Sequence, residues 1–190
     1  MIYCTTFHEW NPNRDRPELE DVSLEEVTEN LKERYADKAL EIVAAYAGQF
    51  PDKKPIEIWA LISSSRVNVV RAANTKLQQQ SPVYVAWFGW QPPLFDGRLR
   101  AFHCIDICFW FCNTDLMVTH TGGGKEPRML SRKMADALLR FMRTGNPNGG
   151  SLPFWPEYTI GKGETMVFNT HPEVVNDPDR EARLVLEQAM

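Results

Sequence analysis

The sequence predicts an α/β protein with an incomplete sheet. Three observations support this class: an opening strand, a long helical stretch after it, and a second strand followed by another helix. Only Ile2–Thr6 and Val83–Phe88 have the β-branched or aromatic character of strong strands. Because two strands are too few for a complete sheet, we expect residues 1–190 to form a single partial domain of a larger fold.

Helices dominate the first half of the chain after the opening strand. The segment from Asn11 to Asp21 is rich in Pro, Asn and Asp and is predicted to be a polar loop. Ser23 and Glu26 then form the capping-box pattern that begins a helix. Two more helical stretches are expected, residues 37–48 and 56–80, the second with a break at three consecutive serines. The residues of stretch 37–48 that we expect to face the core are Leu40, Val43 and Ala44.

The second half returns to strands and ends in a helix. A loop with several prolines leads from the second strand into the apolar segment AFHCIDICFWF. A helix from Ser131 to Thr144 is expected to end at Gly145, a typical residue for closing a helix. We predict a short strand from Thr165 to Phe168 and a final helix from Asp179.

Composition excludes several classes of partner. A net charge of −4 and a pI near 5.6 argue against a nucleic acid or an anionic membrane. No apolar run approaches the length of a membrane span. Four cysteines occur, at positions 4, 104, 108 and 112, and the last three recur at every fourth position. That spacing favours buried thiols on one stripe of a helix over a metal site, and we expect neither a metal nor a cofactor.

Two residues are candidates for chemistry by their position after strands. Glu9 follows the first predicted strand, and His103 follows the second after a loop. A carboxylate that orients a histidine base is part of a hydrolase triad, and the acid precedes the histidine in α/β-hydrolases. Taken alone, a solvated carboxylate and a structural histidine remain open alternatives. The other histidines, His8, His120 and His171, are interpreted as incidental or solvated.

Five stretches in order resemble a known family over nearly the whole chain. They are CTTFHEW, PVYVAWFGW, AFHCIDICFWF, LSRKMADALLRFMRTGNPNG followed by LPFWPEY, and TMVFN. Together they resemble the C-terminal third of a type B carboxylesterase, the family of para-nitrobenzyl esterases and cholinesterases. The resemblance implies the C-terminal portion of an α/β-hydrolase fold, with the last strands of the sheet and their flanking helices.

The resemblance also assigns roles to single residues. Glu9 matches the triad acid, His103 the triad base, and Asp106 an acidic position three residues after that histidine. Cys4 and Cys104 stand where the family usually or frequently has glycine. Neither departure removes a triad group, although each alters local backbone freedom.

The chain lacks the nucleophile of the triad. No GxSxG sequence occurs, and the serines lie in SSS, QQQSPV, LSRK and GGSL. Gly122-Gly123-Gly124 is interpreted as a surface turn rather than an oxyanion hole. We therefore expect part of a serine carboxylesterase that acts on small-molecule esters and is inactive alone. The alternative is a non-catalytic, cholinesterase-like binding or adhesion module.

Further expectations concern the substrate pocket, the sheet edge and the cell compartment. Phe102, Phe109 and Trp110 are candidates for lining the ester pocket, with packing in the core as the alternative. The first strand should lack a neighbour on one side, which favours self-association through an exposed sheet edge or core surface. Localisation stays open, because any signal peptide would lie upstream of Met1, and a secreted or periplasmic parent is compatible with the sequence.

Overall fold

A four-stranded sheet with helices on both faces forms the fold. The computed structural model describes residues 1–190. Its elements are β1 (Ile2–Thr6), α1 (Leu24–Tyr35), α2 (Ala39–Gln49), α3 (Pro55–Ile62), α4 (Arg66–Leu77), β2 (Tyr84–Phe88), α5 (Ile105–Trp110), α6 (Val118–Thr121), α7 (Lys125–Thr144), β3 (Glu164–Phe168), β4 (Glu173–Asn176) and α8 (Arg180–Gln188). Short 3₁₀ turns lie at Pro17–Asp21, Ala36–Lys38 and Thr114–Met117. No helix is both long and apolar enough to span a bilayer.

The strands lie in the order β1-β2-β3-β4, and β1 is at an edge. β1, β2 and β3 are parallel, whereas β4 pairs antiparallel with β3. The partial α/β sheet expected from the sequence is confirmed, with β1 as an edge strand. β4 was not predicted, because it has only four residues, and Glu173 and Asn176 at its ends are exposed.

Two hydrophobic clusters cover the two faces of the sheet. Successive side chains of a strand point to opposite faces. Trp87 joins the cluster formed with α1, α2, α3 and α8. Tyr84, Ala86 and Phe88 join the other cluster, which includes residues of α5 and α7. All five residues of β2 are buried, as expected for a central strand covered on both sides.

Several local predictions are confirmed. The Ser23 hydroxyl accepts a bond from the Glu26 amide at 3.2 Å, and the Glu26 carboxylate accepts one from the Ser23 amide at 2.9 Å. The serine run separates α3 from α4. Gly145 ends α7 with a φ of 77°, the left-handed conformation that favours glycine.

Other predictions about helices are wrong in detail. Leu40 is 67% exposed and Ala44 is also exposed, because the buried stripe of α2 follows a different helical phase. The residues on that stripe are Ala39, Ile42, Val43 and Tyr46. α7 begins at Lys125 rather than at Ser131.

Only one of the three regularly spaced cysteines lies in a helix. Cys108 lies on α5 and is buried, and desolvation raises the pKa of its thiol to about 11. Cys104 and Cys112 are exposed, so the prediction of buried thiols is wrong for both. The helix is too short to include them, and both adopt left-handed backbone conformations beside it, with φ of 67° and 56°.

Candidate active site

Backbone hydrogen bonds bring Glu9 next to the segment that carries His103. Beyond β1, the Phe7 amide donates to the Phe88 carbonyl at 2.8 Å. The His8 amide donates to the Ala101 carbonyl at 3.1 Å, and His8 forms a parallel bridge with Phe102. Since these bonds align residues 8–9 with residues 101–103, Glu9 and His103 lie side by side although 94 positions (103 − 9) separate them.

The Glu9 carboxylate is held on both of its oxygens. Oε1 accepts hydrogen bonds from the Thr5 hydroxyl at 2.9 Å and the Thr6 amide at 3.1 Å. Oε2 lies 2.5 Å from Nδ1 of His103. Partial burial by itself raises the pKa of Glu9, but the bonds from His103, Thr6 and Thr5 outweigh it and lower that pKa. Glu9 is therefore an ionised, fixed acceptor at neutral pH.

The imidazole of His103 is free on its outer side. A carboxylate can only accept, so Nδ1 carries the proton in this contact. The other ring nitrogen, Nε2, makes no hydrogen bond within the chain, and the side chain is 72% exposed. In this tautomer Nε2 has a free lone pair and can accept a proton from a hydroxyl group within hydrogen-bond distance.

A strained residue fixes the turn between His103 and α5. Cys104 precedes α5 with φ 67° and ψ 1°, which is uncommon for any residue with a side chain. Such a conformation favours glycine, the residue that the sequence resemblance implied at this point. Partial desolvation, together with the charges of Glu9 and Asp106, raises the pKa of the Cys104 thiol, so it is protonated at neutral pH.

Asp106 lies close to Glu9 and is partly buried. Its carboxylate accepts a bond from the Trp110 indole at 3.2 Å. Burial first, and then the negative charge of Glu9, raise the pKa of Asp106. The structure thus places three of the residues singled out by sequence, Glu9, His103 and Asp106, in one neighbourhood.

His8, which the sequence analysis did not assign to the chemistry, lies in the interior directly before Glu9. Its side chain is fully buried, and neither ring nitrogen has a hydrogen-bond partner in the chain. Nε2 lies 3.8 Å from the Glu57 carboxylate, which is already engaged by Lys53 and Arg100. Desolvation, followed by the charges of Lys53 and Arg100, lowers the pKa of His8 to about 3. His8 is thus a neutral, buried ring directly before Glu9.

A cleft of about 900 Å³ opens beside the Glu9–His103 pair. Phe102 lines it, as do Trp10, Phe95 and His120, which the sequence did not single out as pocket residues. The one sequence feature that could have indicated a pocket residue was the position of Trp10 directly after Glu9. His120 packs against Phe102 with ring centroids 6.1 Å apart.

Two of the aromatic candidates lie outside this cleft. Phe109 is fully buried, with its ring centroid 5.0 Å from that of Phe88. Trp110 packs against Phe168 at 5.3 Å and donates its indole hydrogen to Asp106. Both side chains face inward from α5, so they pack in the core, which was the alternative interpretation.

The glycine triplet lies away from His103. Gly122, Gly123 and Gly124 all have positive φ and connect α6 to α7. They line a separate cleft of about 750 Å³ that does not include the Glu9–His103 pair. The triplet therefore forms a turn, and it offers no amide donors at the cleft beside His103.

Comparisons with known proteins identify relatives of the chain as a whole. The model of the carboxylesterase family matches residues 5–186. The phenmedipham hydrolase of Pseudarthrobacter oxydans is 30% identical over 80% of this chain. Among solved structures, an esterase from anaerobic Clostridium hathewayi that can hydrolyse aliphatic aromatic polyesters superposes with a TM-score of 0.74 at 27% identity over the whole chain. A carboxylesterase from Geobacillus stearothermophilus gives 0.75 at 25% identity over 97% of it.

The chain spans only part of each of these relatives. It covers 31% of the phenmedipham hydrolase, and 37% and 40% of the two solved chains. Its four strands and their flanking helices are thus a portion of an α/β-hydrolase. Because the family model matches nearly all of its residues, the chain belongs to the carboxylesterase family.

Proposed function

We propose that Glu9 and His103 are the acid and base of the Ser-His-Glu triad of a carboxylic ester hydrolase, and that this chain supplies them without the nucleophile. The observation that carries the proposal is the 2.5 Å contact between Glu9 Oε2 and His103 Nδ1, at the edge of an open cleft. The ionised state of Glu9 and the free Nε2 of His103 support the same roles.

The roles follow from the orientation of the ring. Nε2 of His103 accepts the hydroxyl proton of a serine while the serine oxygen attacks the ester carbonyl carbon. Glu9 stabilises the resulting imidazolium and keeps the ring in the required tautomer. The imidazolium then returns the proton to the departing alcohol oxygen, which leaves an acyl-serine. Water, deprotonated by the same nitrogen, then attacks the acyl carbonyl carbon. The imidazolium protonates the departing serine oxygen, and the carboxylic acid is released.

The nucleophile has to come from outside these 190 residues. No serine lines the cleft beside His103. Ser131 is buried and donates its hydroxyl hydrogen to the Phe109 carbonyl at 2.8 Å. The Cys104 thiol adjoins the base in sequence but is protonated at neutral pH. An acid–base pair without a nucleophile cannot form an acyl-enzyme, so we expect the isolated chain to be inactive.

The alternative function is a non-catalytic binding or adhesion module of the same superfamily. A missing nucleophile is compatible with that function. However, a binding module does not require a carboxylate that two groups, the Thr5 hydroxyl and the Thr6 amide, hold against a histidine with an open Nε2. The geometry therefore favours the catalytic proposal.

Titration of Glu9 tests whether the pair is formed in solution. The carboxyl ¹³C signal of Glu9 would be followed against pH in the wild type, in His103→Ala and in the control His120→Ala, which alters the same cleft. We expect the pKa of Glu9 to rise in His103→Ala, because the donor that lowers it is removed. An unchanged Glu9 pKa in that variant would refute the pairing.

Hydrolysis of para-nitrophenyl acetate by the isolated chain tests the missing nucleophile. We expect no turnover above that of an equal concentration of free imidazole. Clear turnover that His103→Ala abolishes would show that the chain is catalytically complete.

A further inference from the structure

We propose that Arg100 is a positioning residue for His103, because two carboxylates fix its guanidinium and with it the backbone that carries the base. The inference rests on the proposed function, since it assumes that His103 acts as the base. Arg100 makes no hydrogen bond or ion pair with His103 or Glu9, so it acts only through the backbone of residues 100–103.

The Arg100 guanidinium is buried and bound along two of its edges. Only 8% of the side chain is exposed. Nη1 and Nη2 donate to the two carboxylate oxygens of Glu20 at 3.1 and 2.6 Å, which is a bidentate contact. Nε lies 3.5 Å from a carboxylate oxygen of Glu57, and Nη1 also donates to the Arg98 carbonyl at 2.8 Å. Because a bidentate contact fixes orientation as well as distance, the side chain is held in one position.

The two carboxylates lie in parts of the chain that are themselves fixed. Glu20 lies in the first 3₁₀ turn and accepts further bonds from the side chains of Asn13 at 2.8 Å and Lys54 at 2.9 Å. Glu57 lies in the first turn of α3 and accepts a bond from the Lys54 amide at 3.2 Å. Arg100 therefore ties the loop before α5 both to α3 and to the 3₁₀ turn.

Only two residues separate Arg100 from His103, and hydrogen bonds order their backbone. The Phe102 amide donates to the Arg100 carbonyl at 3.0 Å. The Ala101 carbonyl accepts a bond from the His8 amide at 3.1 Å. Arg100 has a φ of 49°, a left-handed conformation that is uncommon for a residue with a side chain. Such a conformation persists only where the surrounding contacts hold it, and the buried ion pairs of Arg100 supply those contacts.

The ring of His103 depends on this backbone for its position. Thr5 and Thr6 hold the Glu9 carboxylate independently of His103. The His103 ring makes no hydrogen bond within the chain except the one to Glu9. A displacement of a catalytic group by about 1 Å can lower a rate by about 10²-fold. Loss of the Arg100 contacts should therefore weaken the contact between Glu9 and His103.

Glu20→Gln distinguishes positioning from a direct effect of charge on Glu9. The variant keeps the size of the side chain but breaks one of the two bonds to Arg100. Loss of a negative charge would by itself lower the pKa of Glu9. If His103 moves away, that pKa should instead rise, because the hydrogen bond that offsets burial is weakened. The carboxyl ¹³C signal of Glu9 followed against pH gives the sign, and a lower or unchanged pKa would overturn the proposal.

Hydrogen exchange of the His8 amide reports on the same segment, since this amide donates to the Ala101 carbonyl. In Arg100→Gln it should exchange faster by about tenfold or more relative to the amides of β2, because the ion pairs that hold residue 100 are lost. Arg100→Lys keeps the charge but cannot form the bidentate contact, so its effect should be smaller. Equal acceleration of the His8 and β2 amides in Arg100→Gln would indicate a global loss of stability and would overturn the proposal.

Leu31→Ala is the control for a loss of stability without a change at Arg100. Leu31 lies on α1 and is only 4% exposed, so the variant leaves a cavity in the core. We expect it to accelerate the His8 and β2 amides alike and to leave the pKa of Glu9 unchanged. A rise of that pKa equal to the rise in Glu20→Gln would show that any destabilisation displaces His103, which would contradict a specific role of Arg100.

The two proposals can fail separately. An unchanged pKa of Glu9 in His103→Ala refutes the pairing, and hydrogen exchange in Arg100→Gln then still decides whether Arg100 fixes residues 100–103. A rise of that pKa in His103→Ala without a rise in Glu20→Gln leaves the pairing in place and removes the positioning role of Arg100.

Discussion

Mild acid should destabilise the fold through His8, and the size of the effect can be worked out from its burial. The side chain is fully buried, without hydrogen bonds, and faces Lys53, Arg100 and the already paired Glu57. Burial and the two cations lower its pKa from 6.5 to about 3 in the folded chain. The unfolded chain, with the ordinary value, therefore takes up a proton that the folded chain does not.

The sign of the effect follows from this difference. Because the unfolded state binds more protons, the contribution of His8 to stability is present above pH 6.5 and is lost as the pH falls from there toward 3. One pKa unit corresponds to about 1.4 kcal/mol. Between about pH 7 and about pH 4.5 the loss amounts to roughly 2–3 kcal/mol, a large share of the stability of a typical domain.

Urea unfolding followed by tryptophan fluorescence measures this loss. It would be compared in the wild type, in His8→Leu and in the control His171→Leu, which replaces an exposed histidine. On acidification from about pH 7 to about pH 4.5, the free energy of unfolding should fall by about 2–3 kcal/mol less in His8→Leu than in the wild type or in His171→Leu. Parallel pH profiles for all three would refute the reasoning.

Three further predictions follow from other contacts. Thr5→Val removes one donor to the Glu9 carboxylate, so the pKa of Glu9 should rise and the free energy of unfolding should fall by about 1 kcal/mol, measured by ¹³C NMR and urea unfolding. Asp179→Ala removes a buried partner of Arg66 at 3.2 Å and should destabilise the fold by about 3–5 kcal/mol in urea unfolding. We also predict self-association through the free edge of β1, which Tyr3→Lys should weaken in light-scattering measurements of molecular mass.

The first two of these predictions have matched controls. Thr144→Val removes an exposed hydroxyl and should leave the pKa of Glu9 unchanged. Asp115→Ala breaks an exposed pair with Arg128 and should cost less than about 1 kcal/mol; an equal cost for Asp179→Ala would contradict the role of burial. A monomer of unchanged mass at all concentrations would contradict self-association.

The strong strands and the candidate pair could be predicted because their signals are local. β1 and β2 are short runs rich in β-branched or aromatic residues, and Glu9 and His103 were recognised from the short motifs around them. The break between α3 and α4 was visible in three serines. These features can be recognised without knowing which residues pack against them.

The features that were missed depend on contacts between distant parts of the chain. β4 depends on β3 as its antiparallel partner, because four residues with only two valines are a weak strand signal by themselves. Leu40 was assigned to the core from its hydrophobicity, but the phase of α2 is set by its packing on α1, α3 and α8. His8 is buried because β1 and its continuation lie against residues 84–88 and 101–102. The positions of Trp10 and Phe95 at one cleft likewise depend on two distant loops.

The central claim is tested most directly by joining this chain to a nucleophile. The portion of the Geobacillus stearothermophilus carboxylesterase that the chain does not cover would be fused to it, and kcat/KM for para-nitrophenyl butyrate would be measured. We expect hydrolysis that falls by at least about 10³-fold on His103→Ala and changes little on His120→Ala, because only His103 is paired with Glu9. An active fusion whose kcat/KM is unaffected by His103→Ala would contradict the account.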